Sequence, residues 1–292
     1  MTTITDTAIF RSLQNNMNTT TSTLNDLYVK ASSGIAVAEV SDAPSSVRTI
    51  LSCRSSIVES DQYIDNSTSV EDNLSSTEVY VDAVLEIMER AKEIAISTAN
   101  DALSDSDLQS YQDELTQMQE GLLDLANTQI GGKYIFAGYN DTQQPFAGDP
   151  VVYSGTGDHQ MITVSPGTTV ASNITGEELF MSPVDIFDTL AQLQTAIQTG
   201  DSTVISAQLT GVEEAAEQIR STRSELGNTL SRLEDLLSMQ SNYKLRLQEQ
   251  LSSEEDADLA TLLSDITQME LSLELTMSVT GRVSALNLFD YL

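Results

Sequence analysis

Residues 10–27 read FRSLQNNMNTTTSTLNDL, and within them Phe10, Leu13, Met17, Thr20, Leu24 and Leu27 recur at steps of three and four. That heptad spacing is the seam of a helix with a partner along its length. The pattern stops at Ser32-Ser33-Gly34, where Gly34 can supply a left-handed cap. After a short loop, Asp42-Ala43-Pro44 reads as a helix start: a capping acid, then a proline in the first turn, where its missing N–H does no harm. From Ser45 to Asn100 there is no glycine or proline, and Ile57, Ile64, Leu74, Val81, Leu85, Met88 and Ala95 form one three/four ladder. A helix of that length spans roughly 80 Å, which suits rods and bundles better than compact enzyme domains.

Glycine and proline cut the chain into three parts. Four of the five prolines fall between Pro145 and Pro183, and eight of the fourteen glycines between Gly131 and Gly176, so the flanks are free to be helical. Ser104-Asp105-Ser106-Asp107 is a capping-box variant that opens a helix striped by Leu108, Tyr111, Leu115, Met118, Leu122 and Leu125, with Ile130-Gly131-Gly132 as its end. The period then changes. Short apolar runs at Lys133–Ala137, Val151–Tyr153 and Met161–Val164, separated by Gly/Pro turns, predict a small β-rich insert over 133–180. Ser182-Pro183-Val184-Asp185 reads as the next helix start, and Gly200-Asp201 precedes another long helix. There Ile219, Leu226, Leu230, Leu233, Leu237, Leu247 and Leu251 share a ladder with the polar Gln240 and Lys244. Polar residues at seam positions weaken packing but specify register.

The last helix, from about Asp256, carries two stripes: Ile266, Met269, Leu273, Thr276 and Val283, and also Leu271, Leu275, Val279, Leu286 and Phe289. Two stripes mean two neighbours, or burial on most sides. Apolar character continues through Leu288, Phe289, Tyr291 and Leu292, whereas termini are usually polar. Phe10, Leu13, Met17, Leu24 and Leu27 at one end, and Leu271, Leu275, Val279, Leu286, Phe289 and Leu292 at the other, are the candidate subunit-interface residues. The fold class expected is mainly α: a long antiparallel helical rod or bundle with coiled-coil termini and a small β-rich insert. The domains expected are a terminal coiled coil (1–38 with 255–292), a helical rod (39–132 with 181–254) and the insert (133–180).

Chemistry is thinly represented. The net charge of −31, from 13 basic and 44 acidic residues, argues against nucleic acid and anionic membranes as partners. Lys133 is the only basic residue between Glu93 and Glu217. No catalytic, cofactor-binding or metal-binding residue is expected. His159 is the only histidine and lacks a second His or Cys nearby, Cys53 is the only cysteine, and no Gly-rich phosphate loop or nucleophile elbow occurs. Asp101, Asp105 and Asp107 lack the turn glycine and terminal glutamate of a calcium loop and read as capping acids. No signal peptide or stretch of membrane-spanning length is visible in the sequence. These features predict a structural protein, not an enzyme.

Several segments resemble the flagellin superfamily. Ser32-Ser33-Gly34-Ile35 and Ser41-Asp42-Ala43-Pro44 are similar to its Ser-(Ser/Thr)-Gly turn and Ser-Asp-Asp-Pro segment, with Ala43 departing, and Arg90–Ala95 is similar to its Arg-Ala-(Arg/Lys)-Glu-Leu-Ala stretch. The most specific match is Leu125-Ala126-Asn127-Thr128 through Gly132–Tyr139, with Pro145-Phe146; together with the ending Leu286–Leu292 it resembles the hook–filament junction branch more than the filament subunit. The likeness covers about 1–146 and 185–292; the insert matches no recognised pattern. It implies a structural adaptor of the bacterial flagellum, outside the cell at the hook–filament junction, exported by the type III apparatus without a cleavable signal. The implied partners are other copies of itself in a ring, the first junction protein, flagellin, and an export chaperone on the C-terminal part.

Overall fold

The computed structural model describes residues 2–99 and 104–289, with side chains from residue 8 to residue 282 within those spans. Helices α1 (Thr2–Ser33), α2 (Val47–Thr98) and α3 (Asp105–Ala126) come first. Six short strands follow: β1 (Gln129–Ile130), β2 (Lys133–Tyr134), β3 (Phe146–Ala147), β4 (Val152–Tyr153), β5 (Met161–Ser165) and β6 (Thr168–Ala171). A π-helical turn (Glu177–Met181) then leads into α4 (Ile186–Thr199), α5 (Ser202–Glu255) and α6 (Leu259–Phe289). The fold is mainly α with a small β insert, as the distribution of glycine and proline predicts. The strands pair only as antiparallel hairpins, β1 with β2, β3 with β4, and β5 with β6.

By contacts the chain gathers into two units, 1–59 with 243–292, and 60–242. In the second unit one apolar core runs from Val70 through the insert to Leu233. On α2 its seam repeats every seven residues through Leu74, Val81, Met88 and Ala95, all buried. On α5 the matching repeat is Ile205, Val212, Ile219, Leu226 and Leu233. Further back along α2 the seam departs from the expected ladder. Cys53, Ser60 and Ser67 are the buried residues, while Ile57 and Ile64 are only half-buried. The seven-residue repeat holds its phase there although the residues on it are small or polar, so a reading that follows the largest apolar side chains drifts off the seam.

Gly34, at φ 75°, ends α1 as expected, its N–H bonding Lys30 O at 2.9 Å. Ser104 opens α3 with both arms of its capping box. Three expected boundaries are different. Asp42 does not cap α2, which begins only at Val47; its carboxylate accepts from the Ala38 and Glu39 N–H groups and pairs with Lys30 at 3.0 Å, closing the preceding loop. Gly131 and Gly132, both at positive φ, do not end α3 but form the two-residue turn of the β1–β2 hairpin, which needs that conformation. Asp185, not Ser182, caps α4, accepting from the Asp188 N–H at 3.0 Å, and Pro183 precedes the helix.

The insert is held by aromatic packing and by one hydrogen-bonded segment. Phe136, Phe146 and Phe180 are wholly buried, with ring centroids 5.2 Å apart in edge-on pairs, and Phe146 also meets Tyr153 and Phe187. The Phe136 carbonyl accepts from the Gly176 N–H and the Tyr153 hydroxyl, and the Ala137 carbonyl from the Thr156 N–H. Tyr153 is half-buried in this cluster, and burial pushes its phenol up from the ordinary range.

Candidate assembly interface

Helix α1 packs against α6 within the first unit, and the two run antiparallel. Near the loop, Ala257 N–H bonds Gly34 O at 2.9 Å and Ala36 N–H bonds Glu255 O at 2.8 Å. Further along, the Tyr28 hydroxyl donates to the Glu270 carboxylate. That hydrogen bond, with the charge beside it, favours the neutral phenol and raises Tyr28 above the ordinary range. Glu255 is buried and paired with Arg54, so the junction between α5 and α6 is held by charge as well as by backbone. Asp258 starts α6, its carboxylate accepting from the Ala260 N–H at 2.9 Å and the Thr261 hydroxyl at 2.8 Å.

The pairing separates the two stripes of α6. Leu262 and Ile266 are buried and Met269, Leu273 and Thr276 half-buried, on the side that meets α1. On α1 the expected seam lies opposite: Leu24 is buried, Leu13, Met17 and Leu27 are half-buried, and Phe10 is 39% exposed. The second stripe stays open. Leu271, Leu275 and Val279 are 55%, 58% and 47% exposed, and at about 100° per residue they project from the side of α6 away from Ile266. A helix apolar on two opposite sides is a buried element, yet only one of these sides is covered. Leu286, Phe289 and Leu292 lie outside the residues whose side chains are described.

Two features of this face escape a sequence reading. Leu259 and Leu263 are exposed near the start of α6, at 52% and 61%, on the Ile266 side and apart from the Leu271–Leu275–Val279 stripe; their four-residue spacing from one another was the available signal. The Tyr28–Glu270 bond joins positions 242 residues apart, and no local pattern marks it. Chemistry is sparse here too. Among the described residues no group of three or more His, Cys, Asp or Glu side chains gathers as a metal-ligand set, and no helix is long and apolar enough to cross a membrane. Asp107 is held below the usual carboxylate range by hydrogen bonds from the Ser104 hydroxyl and backbone, and Asp101 lies outside the described residues.

Comparison with known proteins gives this arrangement a family. The bacterial flagellin N-terminal helical region matches residues 4–141, and the bacterial flagellin C-terminal helical region matches residues 209–292. The chain belongs to the flagellin superfamily. The two matched regions hold α1 to α3 and most of α5 with α6, so the paired helices are the family-defining part, and residues 142–208 fall between them.

Within the superfamily, the flagellar hook-associated protein 3 of Escherichia coli is 25% identical over 89% of this chain and 90% of its own length. That of Salmonella typhimurium is 24% identical over the same shares. A flagellin of Bacillus subtilis is 28% identical, but over 62% of this chain and 63% of its own. Among solved structures, a putative flagellar hook-associated protein from Vibrio parahaemolyticus superposes with TM-score 0.68 at 21% identity, covering 74% of this chain and all of that one. Bacillus cereus FlgL does so with TM-score 0.58 at 26% identity, covering 70% of this chain and all of that one. The superfamily member described here is thus similar along most of its length to hook-associated proteins, and along a shorter stretch to a filament subunit.

Proposed function

We propose that this chain is a structural adaptor of the bacterial flagellum, joining the hook-side junction ring to the flagellin filament by helical co-assembly of its termini. The observation that carries this reading is the open side of α6, where Leu271, Leu275 and Val279 face away from α1. Burying that side needs a helix from outside the chain. Repetition of one such contact around a closed ring covers every copy in the same way. In this reading residues 1–38 with 255–292 co-assemble, residues 39–132 with 181–254 support them, and residues 133–180 form an outer surface. The candidate interface residues on α1 act through their packing on α6, and those on α6 by direct contact.

The partners follow from the same reading: further copies in a ring, the first junction protein on the hook side, flagellin on the other, and an export chaperone on the C-terminal part. The protein works outside the cell, reached through the flagellar export route, with no catalytic step of its own. Likeness to a hook-associated protein at 25% identity over 89% of the chain, against 28% identity over only 62% for a flagellin, favours the adaptor over a bulk filament subunit. Deleting the gene and imaging the cells tests this. Bare hooks with flagellin shed into the medium are expected; attached filaments of ordinary length and number would sink the adaptor role. Counting copies per flagellum separates the adaptor, at ring stoichiometry, from a filament subunit in the thousands.

A further inference from the structure

Glu255 is the last residue of α5 and is only 6% exposed. Both facts run against its chemistry. A carboxylate at a helix C-terminus opposes the helix dipole, and burying one is costly unless a cation pairs with it. The neighbouring sequence adds to the conflict, because Glu254, Asp256 and Asp258 are acids as well. What offsets the cost is Arg54 of α2, whose guanidinium pairs with the Glu255 carboxylate.

The backbone around the same residue carries a second set of links. The Glu255 carbonyl accepts from the Ala36 N–H at 2.8 Å, and the Ala257 N–H donates to Gly34 O at 2.9 Å. Between them Ile35 and Asp256 pair as a short antiparallel bridge. Glu255 therefore joins α2, the segment that follows α1, and the end of α5. Only Asp256, Ala257 and Asp258 lie between it and α6. With so short a connection, the start of α6 is set at this junction. At about 100° per residue, the start of the helix in turn fixes where Leu271, Leu275 and Val279 point.

We propose that Glu255 is a positioning residue for assembly: held by Arg54, it sets the direction and rotation with which α6 leaves α5, and so the side of α6 that a neighbouring subunit meets. This rests on the adaptor reading above. An apolar pair at these two positions would stabilise the chain as well or better. It would not impose the fixed fork geometry with which a guanidinium holds a carboxylate. The ion pair is thus a poor choice for stability and a good one for direction.

Two measurements on the full chain test this. Hydrogen exchange reads the Ala36 and Ala257 amides. Arg54→Ala leaves a buried carboxylate unpaired and should lower their protection at least about tenfold, with Ile162 and Val170 of the second unit unchanged. Arg54→Met combined with Glu255→Met removes both charges and should restore protection to within about threefold of the wild type. Imaging of the mutant strains reads assembly. Both variants should lose attached filaments, the double variant although its junction is intact. Should the double variant stay unprotected, Arg54→Lys, which keeps the charge without the fork, takes its place under the same criterion. Unchanged protection in Arg54→Ala would overturn the junction. Filaments attached at wild-type number in a protected variant would overturn positioning and leave a structural pair only. Attached filaments in the gene-deletion strain would instead sink the adaptor reading, so the two failures are told apart.

Discussion

Replacing Leu275 by aspartate separates the two sides of α6. In the free chain Leu275 is 58% exposed, so Leu275→Asp removes little packing, and surface changes of this kind stay within about 0.5 kcal/mol. In an assembly that covers the open side the balance is different. A fully buried leucine contributes about 2 kcal/mol, so covering the exposed half of Leu275 adds about 1 kcal/mol per contact. Leu271 and Val279, similarly exposed, bring the stripe to about 3 kcal/mol. Aspartate forfeits one third of that and places a carboxylate in an apolar contact, which costs several kcal/mol more. Each subunit contact should weaken by at least about a hundredfold, since every 1.4 kcal/mol is a factor of ten. Thermal unfolding of the purified monomer by circular dichroism should shift by less than a few degrees, while the mutant strain should carry hooks without filaments. Normal filament attachment would refute the idea that this face docks. A monomer that unfolds outright would refute the claim that the stripe is free before assembly.

Phe146→Ala should destabilise the second unit by about 3–5 kcal/mol, because the ring is wholly buried against Tyr153, Phe180 and Phe187; urea unfolding measures it. Ser67→Ala should stabilise the same unit by about 1 kcal/mol, since Ser67 Oγ is buried with no partner; an unchanged or lower urea midpoint would show that the hydroxyl is satisfied after all. Ser104→Ala removes a capping box and should cost about 1 kcal/mol, read in the same assay. Asp42 is held below the ordinary carboxylate range by the Glu39 N–H and by Lys30. Its contribution is therefore complete above the unfolded carboxylate value, about 4, and declines as pH falls through the lower folded one. Exchange protection of the Ala38 and Glu39 amides, corrected for intrinsic rates, should drop only below about pH 4 and should be weak at every pH in Asp42→Asn.

Helix existence was readable wherever apolar residues repeat and glycine is absent. α2 runs from Val47 to Thr98 inside the span without glycine or proline, and α3 opens at the expected capping box. Helix starts were less readable, because an acid near a proline has several uses. Asp42 serves the loop before it, and the cap of α4 is the acid two residues beyond Pro183. The Gly131-Gly132 pair is ambiguous in one dimension, being equally good as a helix stop or a hairpin turn, and only the pairing of Ile130 with Lys133 decides. The candidate interface was half legible. Periodicity gave two stripes on α6 but not which would meet α1. That choice depends on register between segments about 240 residues apart, set by contacts such as Tyr28 with Glu270.

Register is also the physical reason for the polar residues along α2 and α5 in the second unit. Both seams repeat every seven residues, so sliding one helix by a heptad would set apolar residues opposite apolar residues again. Ser60 breaks that degeneracy: its hydroxyl meets the Gln240 side-chain oxygen at 3.2 Å. A slip of one heptad toward Cys53 would lose that match, whereas a slip toward Ser67 would offer Gln240 another hydroxyl, so in that direction the charged pairs must decide. The same offset would pull apart Arg223 from Asp82, now 2.8 Å apart, Arg220 from Glu89, now 3.7 Å apart, and Lys92 from Glu213. Each of these surface pairs contributes at most about 1 kcal/mol to stability. A slipped structure, however, loses all of them at once and sets the excess carboxylates of an acidic chain against one another. The polar pairs therefore select among alignments that the apolar seam alone would leave nearly equal, which an assembly subunit needs if every copy is to present α6 identically.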